Sequence, residues 1–233
     1  MSAPKLSFFA LAVAALVGLA RPAAAGEDNP ITSADAAEAA LPSPHRALFD
    51  LGLLARYDRL PGDVNAGRAG LTARALLGRR VGYCVGADVD IGASSEGLVY
   101  GAVAQLAGIG LRFGDGGYVS LCGGAGVGGA SGVVPAALEL PVELRARLQA
   151  GPLRLAGWVT GRFTAFDEVR DDGTDLGGVD ELEAGAAIGL GRQHTYWRGA
   201  SAGAGPYLAF TFRELMGERV FAVSLGLELE GGN

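Results

Sequence analysis

From Arg46 onward, apolar and polar side chains alternate with a period of two, the repeat of a sheet that has one apolar and one polar face. The first stretch, near 46–58, puts Ala47, Phe49, Leu51, Leu53, Ala55 and Tyr57 on one face. Leu48, Asp50, Gly52, Leu54, Arg56 and Asp58 fall on the other. A Pro-Gly-Asp sequence at 61–63 marks a turn within a connection placed at 59–68. A second strand near 69–78 sets Leu71, Ala73, Ala75 and Leu77 against Thr72 and Arg74, and Gly78-Arg79-Arg80 turns it back. A third, near 81–93, sets Tyr83, Val85, Ala87, Val89 and Ile91 against Cys84, Gly86, Asp88, Asp90 and Gly92. The fourth, near 97–113, is apolar on both faces, so its facing is undetermined; Asp115-Gly116-Gly117 leads into a fifth near 118–128.

The sixth strand, near 135–148, alternates most cleanly. Leu138, Leu140, Val142, Leu144, Ala146 and Leu148 share a face, with Glu139, Glu143, Arg145 and Arg147 opposite. In the seventh, near 153–166, Leu153, Leu155, Val159 and Phe163 oppose Arg154, Trp158, Thr160 and Arg162. A polar stretch at 167–179 separates it from an eighth near 180–191, where Leu182, Ala184, Ala186, Ile188 and Leu190 oppose Glu181 and Glu183. Strands near 201–213 and 219–230 complete the set, the last with Phe221, Val223, Leu225, Leu227 and Leu229 in one row. About ten strands joined by turn signals predict an all-β domain over 46–230, a closed antiparallel up-and-down β-barrel.

Two features bear on which face meets which medium. Charges of both signs recur opposite the leucine rows, at Asp50, Arg56, Arg74, Asp88, Asp90, Glu139, Glu143, Arg145, Arg147, Arg154, Arg162, Glu181 and Glu183. Alternation alone would let them face water around a soluble barrel or the lumen of a membrane barrel. The aromatic residues favour the second. Phe49, Tyr57, Tyr83, Phe113, Tyr118, Phe163, Phe210, Phe212 and Phe221 lie near strand ends, where a bilayer interface selects them, whereas a soluble core draws bulky rings to mid-strand. The longer connections at 59–68 and 167–179 fall on one side of the sheet and the tight ones at 78–80, 114–117 and 149–152 on the other; the turn at 192–200 departs from that division. Over residues 46–230 the chain resembles the small outer-membrane β-barrel proteins of Gram-negative bacteria. That resemblance implies an outer-membrane location, lipid as the partner of the leucine face, and a charged lumen. The mixed signs, with Trp158 and Tyr207 sharing the inward parity, favour a lumen plugged by interlocked ion pairs over a narrow selective pore. The chain departs from the family in ending Leu229-Glu230-Gly231-Gly232-Asn233 rather than on an aromatic residue. A soluble periplasmic or secreted barrel that binds an apolar small molecule is the competing reading, and an outer-membrane lipid-modifying enzyme a third.

The N-terminus supports export. Lys5, an apolar run from Leu6 to Ala20, the Arg21-Pro22 break and Ala23-Ala24-Ala25 form a signal peptide over 1–25, with a tail at 26–45. The apolar run, at about 15 residues, is shorter than a spanning helix needs. Composition narrows the partners. A formal charge of −6 without a basic run argues against nucleic acid. The 39 glycines suit closely packed, curved sheet better than helix.

Candidate chemistry is sparse. His45 lies before the first strand and His194 in a turn, and no strand carries a plausible serine–histidine pair, so no catalytic residue is assigned and no enzyme is expected. Gly124-Ala125-Gly126-Val127-Gly128-Gly129 fits a G-x-G-x-x-G string, but nothing helical follows it to cradle a dinucleotide. No cofactor or metal is expected. Asp88, Asp90, Gly92, Ser94 and Glu96 superficially suggest a calcium loop and read better as lumen charges facing Arg56 or Arg74. The acidic stretch with Asp167, Glu168, Asp171, Asp172, Asp175 and Asp180 reads as solvated loop. Cys84 and Cys122, the only cysteines, fall two strands apart, about 9–10 Å across a sheet. That spacing predicts free or weakly paired thiols in the lumen.

Overall fold

A computed structural model describes residues 47–113, 116–132, 134–167, 181–190, 201–215 and 217–232. The signal peptide, the tail, both histidines and the acidic stretch at 168–180 lie outside the described residues. Ten strands follow in chain order: β1 (Ala47–Leu60), β2 (Val64–Leu77), β3 (Val81–Ser94), β4 (Gly97–Phe113), β5 (Gly117–Ala130), β6 (Val134–Ala150), β7 (Leu153–Asp167), β8 (Glu181–Leu190), β9 (Ser201–Leu215) and β10 (Glu218–Gly232). Each pairs antiparallel with its sequence neighbours, and β1 pairs antiparallel with β10 from Leu48↔Gly232 to Arg59↔Phe221. An up-and-down sheet closes this way only with an even number of strands. Closure leaves no unpaired edge.

The registers fix which side chains point where. Across β1 and β2, Leu51↔Ala73 and Leu53↔Leu71 meet outside, while Asp50↔Arg74 and Gly52↔Thr72 meet inside. The outward rows are exposed at Leu53, Leu71, Val89, Ile109, Leu225 and Leu227, at 53–62% of their accessible surface. Leu138, Leu140 and Val142 of β6 are exposed as well. Inward positions on the same strands are buried or half-buried.

Three expectations change. The β1–β2 connection is not a loop over 59–68. Alternation continues through buried Leu60 and Ala66, the strands pair to Leu60↔Val64, and only a 3-10 turn at Pro61–Asp63 remains. Gly62 (φ 69°) and Asp63 (φ 62°) carry the left-handed conformations that reverse the chain so tightly. The long and short connections therefore do not separate cleanly onto two sides. The indeterminate facing of β4 has a physical cause, a β-bulge: the register with β5 shifts between Gln105 and Ala107. Gln105 is buried, Leu106 and Ala107 both face out, and inward alternation resumes at Gly108. Period two therefore changes phase mid-strand. The Tyr83 hydroxyl, on the outer face of β3, donates to the carbonyl of bulge residue Leu106.

The cysteines are the third correction. Cys84 of β3 and Cys122 of β5 form a disulfide, with a Cα–Cα separation of 6.2 Å across the intervening β4. The flat-sheet spacing fails because both partners adjoin bulges, at Tyr83/Gly86 and at Gln105/Ala107, where a strand bends and coils. Between them sits Gly108, whose missing side chain leaves the space that the Cys84 sulfur fills. The high glycine content has a related use at four cross-strand pairs. Phe49 lies over Gly231, Phe113 over Gly117, Trp158 over Gly185 and Tyr207 against Gly226. A ring covering a bare backbone restores the packing that glycine forgoes.

Replacing Gly185 with Val would drive Cβ into the Trp158 ring; we expect a loss of about 1–3 kcal/mol, read as a lower urea midpoint of the barrel refolded in detergent. The denatured, unreduced chain is expected to take up no iodoacetamide, and to gain two adducts after dithiothreitol, by intact mass.

Candidate functional site

The inward positions assemble into one lumenal network. Arg56, Arg68, Arg74, Arg145, Arg147, Arg154, Arg162 and Arg213 meet Asp50, Asp58, Asp88, Asp90, Glu139, Glu143, Glu181, Glu183, Glu228 and Glu230. The cations are all arginine, and Lys5 is the only lysine in the chain. A planar guanidinium bridges several carboxylates at fixed geometry, which a lysine ammonium does not.

The network has centres of different strength. Asp58 is fully enclosed, with Arg56 at 2.8 Å, Arg68 at 2.7 Å and Arg213 at 3.7 Å, and Arg68 continues to Asp90 at 2.7 Å. Arg74 grips Asp88 through two nitrogens, at 2.8 and 2.5 Å, and reaches Glu143 at 3.7 Å. Arg162 reaches Glu139 at 2.9 Å, Glu183 at 3.4 Å and Glu181 at 3.8 Å. Arg213 joins Glu181 to the Asp58 centre. Nearer the opposite rim, Arg147 bridges Asp50 and Glu230, and Arg154 contacts Glu228 at 3.1 Å and Glu230 at 3.7 Å. Trp158 ties the middle together: its indole N–H donates to Glu183 at 3.1 Å, and the Arg145 guanidinium lies 5.0 Å from its ring centroid.

Apolar clusters flank these charges on the β1–β5 wall. Leu76, Cys84, Tyr118 and Cys122, with Leu48 against them, form one. Leu60, Ala66, Val99 and Ala130, with Val64 against them, form the other at the far end. A cavity of about 220 Å³ remains, with Leu60, Val99 and Ala130 toward one end and Arg154, Gly189 and Glu228 toward the other.

All thirteen charges singled out in the sequence point into this space. Asp90 pairs with Arg68 rather than with Arg56 or Arg74. Five further members were not among those charges. Arg68 fell within the misplaced 59–68 connection. Asp58, Arg213, Glu228 and Glu230 carry the inward parity of their strands, opposite Tyr57, Phe212, Leu227 and Leu229, and that parity is the signal that would have found them. Among the aromatic residues, Phe49, Tyr57, Tyr83, Phe163, Phe210, Phe212 and Phe221 are outward and exposed, and Phe212 and Phe221 meet edge to face at 5.3 Å. Phe113 is half-buried over Gly117. Tyr118 departs from the girdle: only 5% exposed, it faces the lumen, where its hydroxyl donates to Asp50 at 3.4 Å. Even-numbered positions of β5 point inward, which nearness to a strand end does not reveal. Among the described residues no cluster of histidine, cysteine or carboxylate side chains has metal-binding geometry.

We expect Asp58→Ala, which strands Arg56 in the lumen and leaves Arg68 with Asp90 alone, to cost about 3–5 kcal/mol in urea titration. Arg59→Ala, which breaks the exposed Arg59–Asp63 pair at 2.6 Å, should cost under about 1 kcal/mol in the same assay.

No protein-family model matches the chain, and no curated protein matches it in sequence. Among solved structures, the barrel is similar to the beta domain of the Bordetella autotransporter BrkA. The identity is 12% and the TM-score 0.42, over 80% of this chain and 98% of that domain.

Proposed function

We propose that this chain is an integral outer-membrane protein whose barrel is held rigid, and its lumen largely filled, by the arginine–carboxylate network, in a structural or surface role. The observation that carries this reading is the inverted facing: leucine, valine and isoleucine cover the outside while the ion pairs meet within. Leaving such side chains in water costs about 1.5–3 kcal/mol each, and a continuous apolar belt around a soluble monomer would promote aggregation. Acyl chains remove that cost. The strands, 10 to 17 residues long, exceed or match the roughly 9–11 that a tilted strand needs to cross the hydrocarbon. Exposed rings toward the strand ends, such as Phe49 and Tyr83 at one side and Tyr57 and Phe221 at the other, suit the two interfaces. A soluble carrier of apolar ligands finds no support in a lumen lined by Arg56, Arg74, Arg145 and Arg162.

Cell fractionation tests the location. We expect the protein in the outer-membrane fraction, with a folded band that shifts on boiling; recovery in a detergent-free soluble fraction would reject the reading. On the same reading, Leu225→Arg, at the middle of β10 and 62% exposed, should destabilise the barrel folded in lipid vesicles by about 2–4 kcal/mol.

A further inference from the structure

The two walls of the lumen are not equally filled at the end where β7 begins. On the β1–β5 wall, the cluster around the Cys84–Cys122 disulfide closes the space with Leu76 and Tyr118. On the opposite wall, the inward positions of β8 and β9 at that end are Ala187, Gly189, Gly203 and Gly205, with the Tyr207 ring turned against Gly226 of β10. Among the described residues, Arg154 is the large side chain that lies over this bare surface. A side-chain atom at Gly189 would sit 3.0 Å from its Nε and Nη2, and Nη2 lies 3.5 Å from the Gly205 carbonyl oxygen. The cavity of about 220 Å³ runs from Leu60, Val99 and Ala130 at the far end to Arg154 and Glu228 here.

Arg154 is also held less firmly than Arg68 or Arg74. Arg74 grips Asp88 with two hydrogen bonds. Arg68 bonds Asp58 and Asp90 at 2.7 Å each. Arg154, only 3% exposed, holds Glu228 at 3.1 Å and Glu230 at 3.7 Å through Nη1 alone, and its Nε lacks a hydrogen-bond partner among the described residues. An arginine with poorly satisfied donors, across a wall of glycine and alanine, is a strut that can swing aside.

We infer that Arg154 is the gate of a narrow ion path along the β6–β10 side of the lumen, latched by Glu228 and Glu230, and that this path, when open, passes small cations. The selectivity follows from what the latch leaves behind. Glu230 keeps Arg147 as a partner, whereas Glu228 has no other ion pair among the described residues. Displacing the guanidinium therefore exposes an unpaired carboxylate at the constriction, which attracts cations and repels anions. This inference rests on the membrane reading, and its test separates the two.

Purified full-length protein, confirmed as heat-modifiable, is reconstituted into planar bilayers in asymmetric potassium chloride. The wild type is expected to stay closed or to open rarely. Arg154→Ala should raise mean conductance at least about tenfold with a reversal potential toward potassium, and Arg154→Ala with Glu228→Gln should conduct with reduced cation preference. Glu228→Gln alone, which weakens the latch without removing bulk, should raise the open probability and serves should Arg154→Ala fail to fold. Arg59→Ala, on an exposed pair outside the lumen, is the control and should match the wild type. Folded, inserted Arg154→Ala and Glu228→Gln proteins no more conductive than wild type would overturn the gate, and an open but anion-selective Arg154→Ala would overturn the role of Glu228. Failure of the wild type to enter any bilayer would instead remove the membrane reading.

Discussion

The structure depends on a carboxylate that cannot reach water. Asp58 is fully enclosed, and three arginines from β1, β2 and β9 converge on it. A buried charge stripped of its partners is strongly destabilising. Each of these strands is therefore fixed in register with respect to the others through the interior, as well as through its backbone ladder. A slip of one residue would turn Asp58 and the arginines outward and the leucines inward. In a soluble barrel the leucines alone would set the register. Here their face is outward, and the polar interior takes over that function.

This inversion accounts for the residue types. Arginine replaces lysine throughout the lumen because most of these cations serve two or three carboxylates, as Arg162 does with Glu139, Glu181 and Glu183. Glycine is abundant because a narrow ring packed with long guanidinium side chains leaves no room for more. Trp158 lies flat over Gly185, and Arg154 over Gly189, because neither position carries a Cβ. Aromatic and arginine side chains fill the volume that the glycines vacate, so the two enrichments are one feature of packing.

Most of this was legible in the chain because period two survives in β1, β3, β6 and β10, where each outward leucine or valine fixes the facing of its neighbours. Strand number and closure followed from the turn signals. What was not legible has local causes. The bulge at Leu106 inserts one residue, so no single phase fits β4, and the coiling that accompanies it brings Cys84 and Cys122 within reach of each other. Pro61-Gly62-Asp63 was read correctly as a turn but assigned too much of the flanking strand, which hid Arg68 and with it the partner of Asp58 and Asp90. Tyr118 looked like an interfacial ring because it begins a strand. Its inward parity puts it beside Asp50 instead.

The unevenness of the interior is the last consequence. Near the Cys84–Cys122 disulfide, the β1–β5 wall is closed by cross-linked apolar side chains, which have no second arrangement short of unfolding. The opposite wall is closed by charge across glycine and alanine, and charge contacts can be exchanged for water. A barrel built on both solutions is rigid along one side and adjustable along the other. The adjustable side is where Arg154 sits, with its Nε unsatisfied among the described residues and glycine across from it, so a path there needs only an exchange of contacts and no widening of the whole ring.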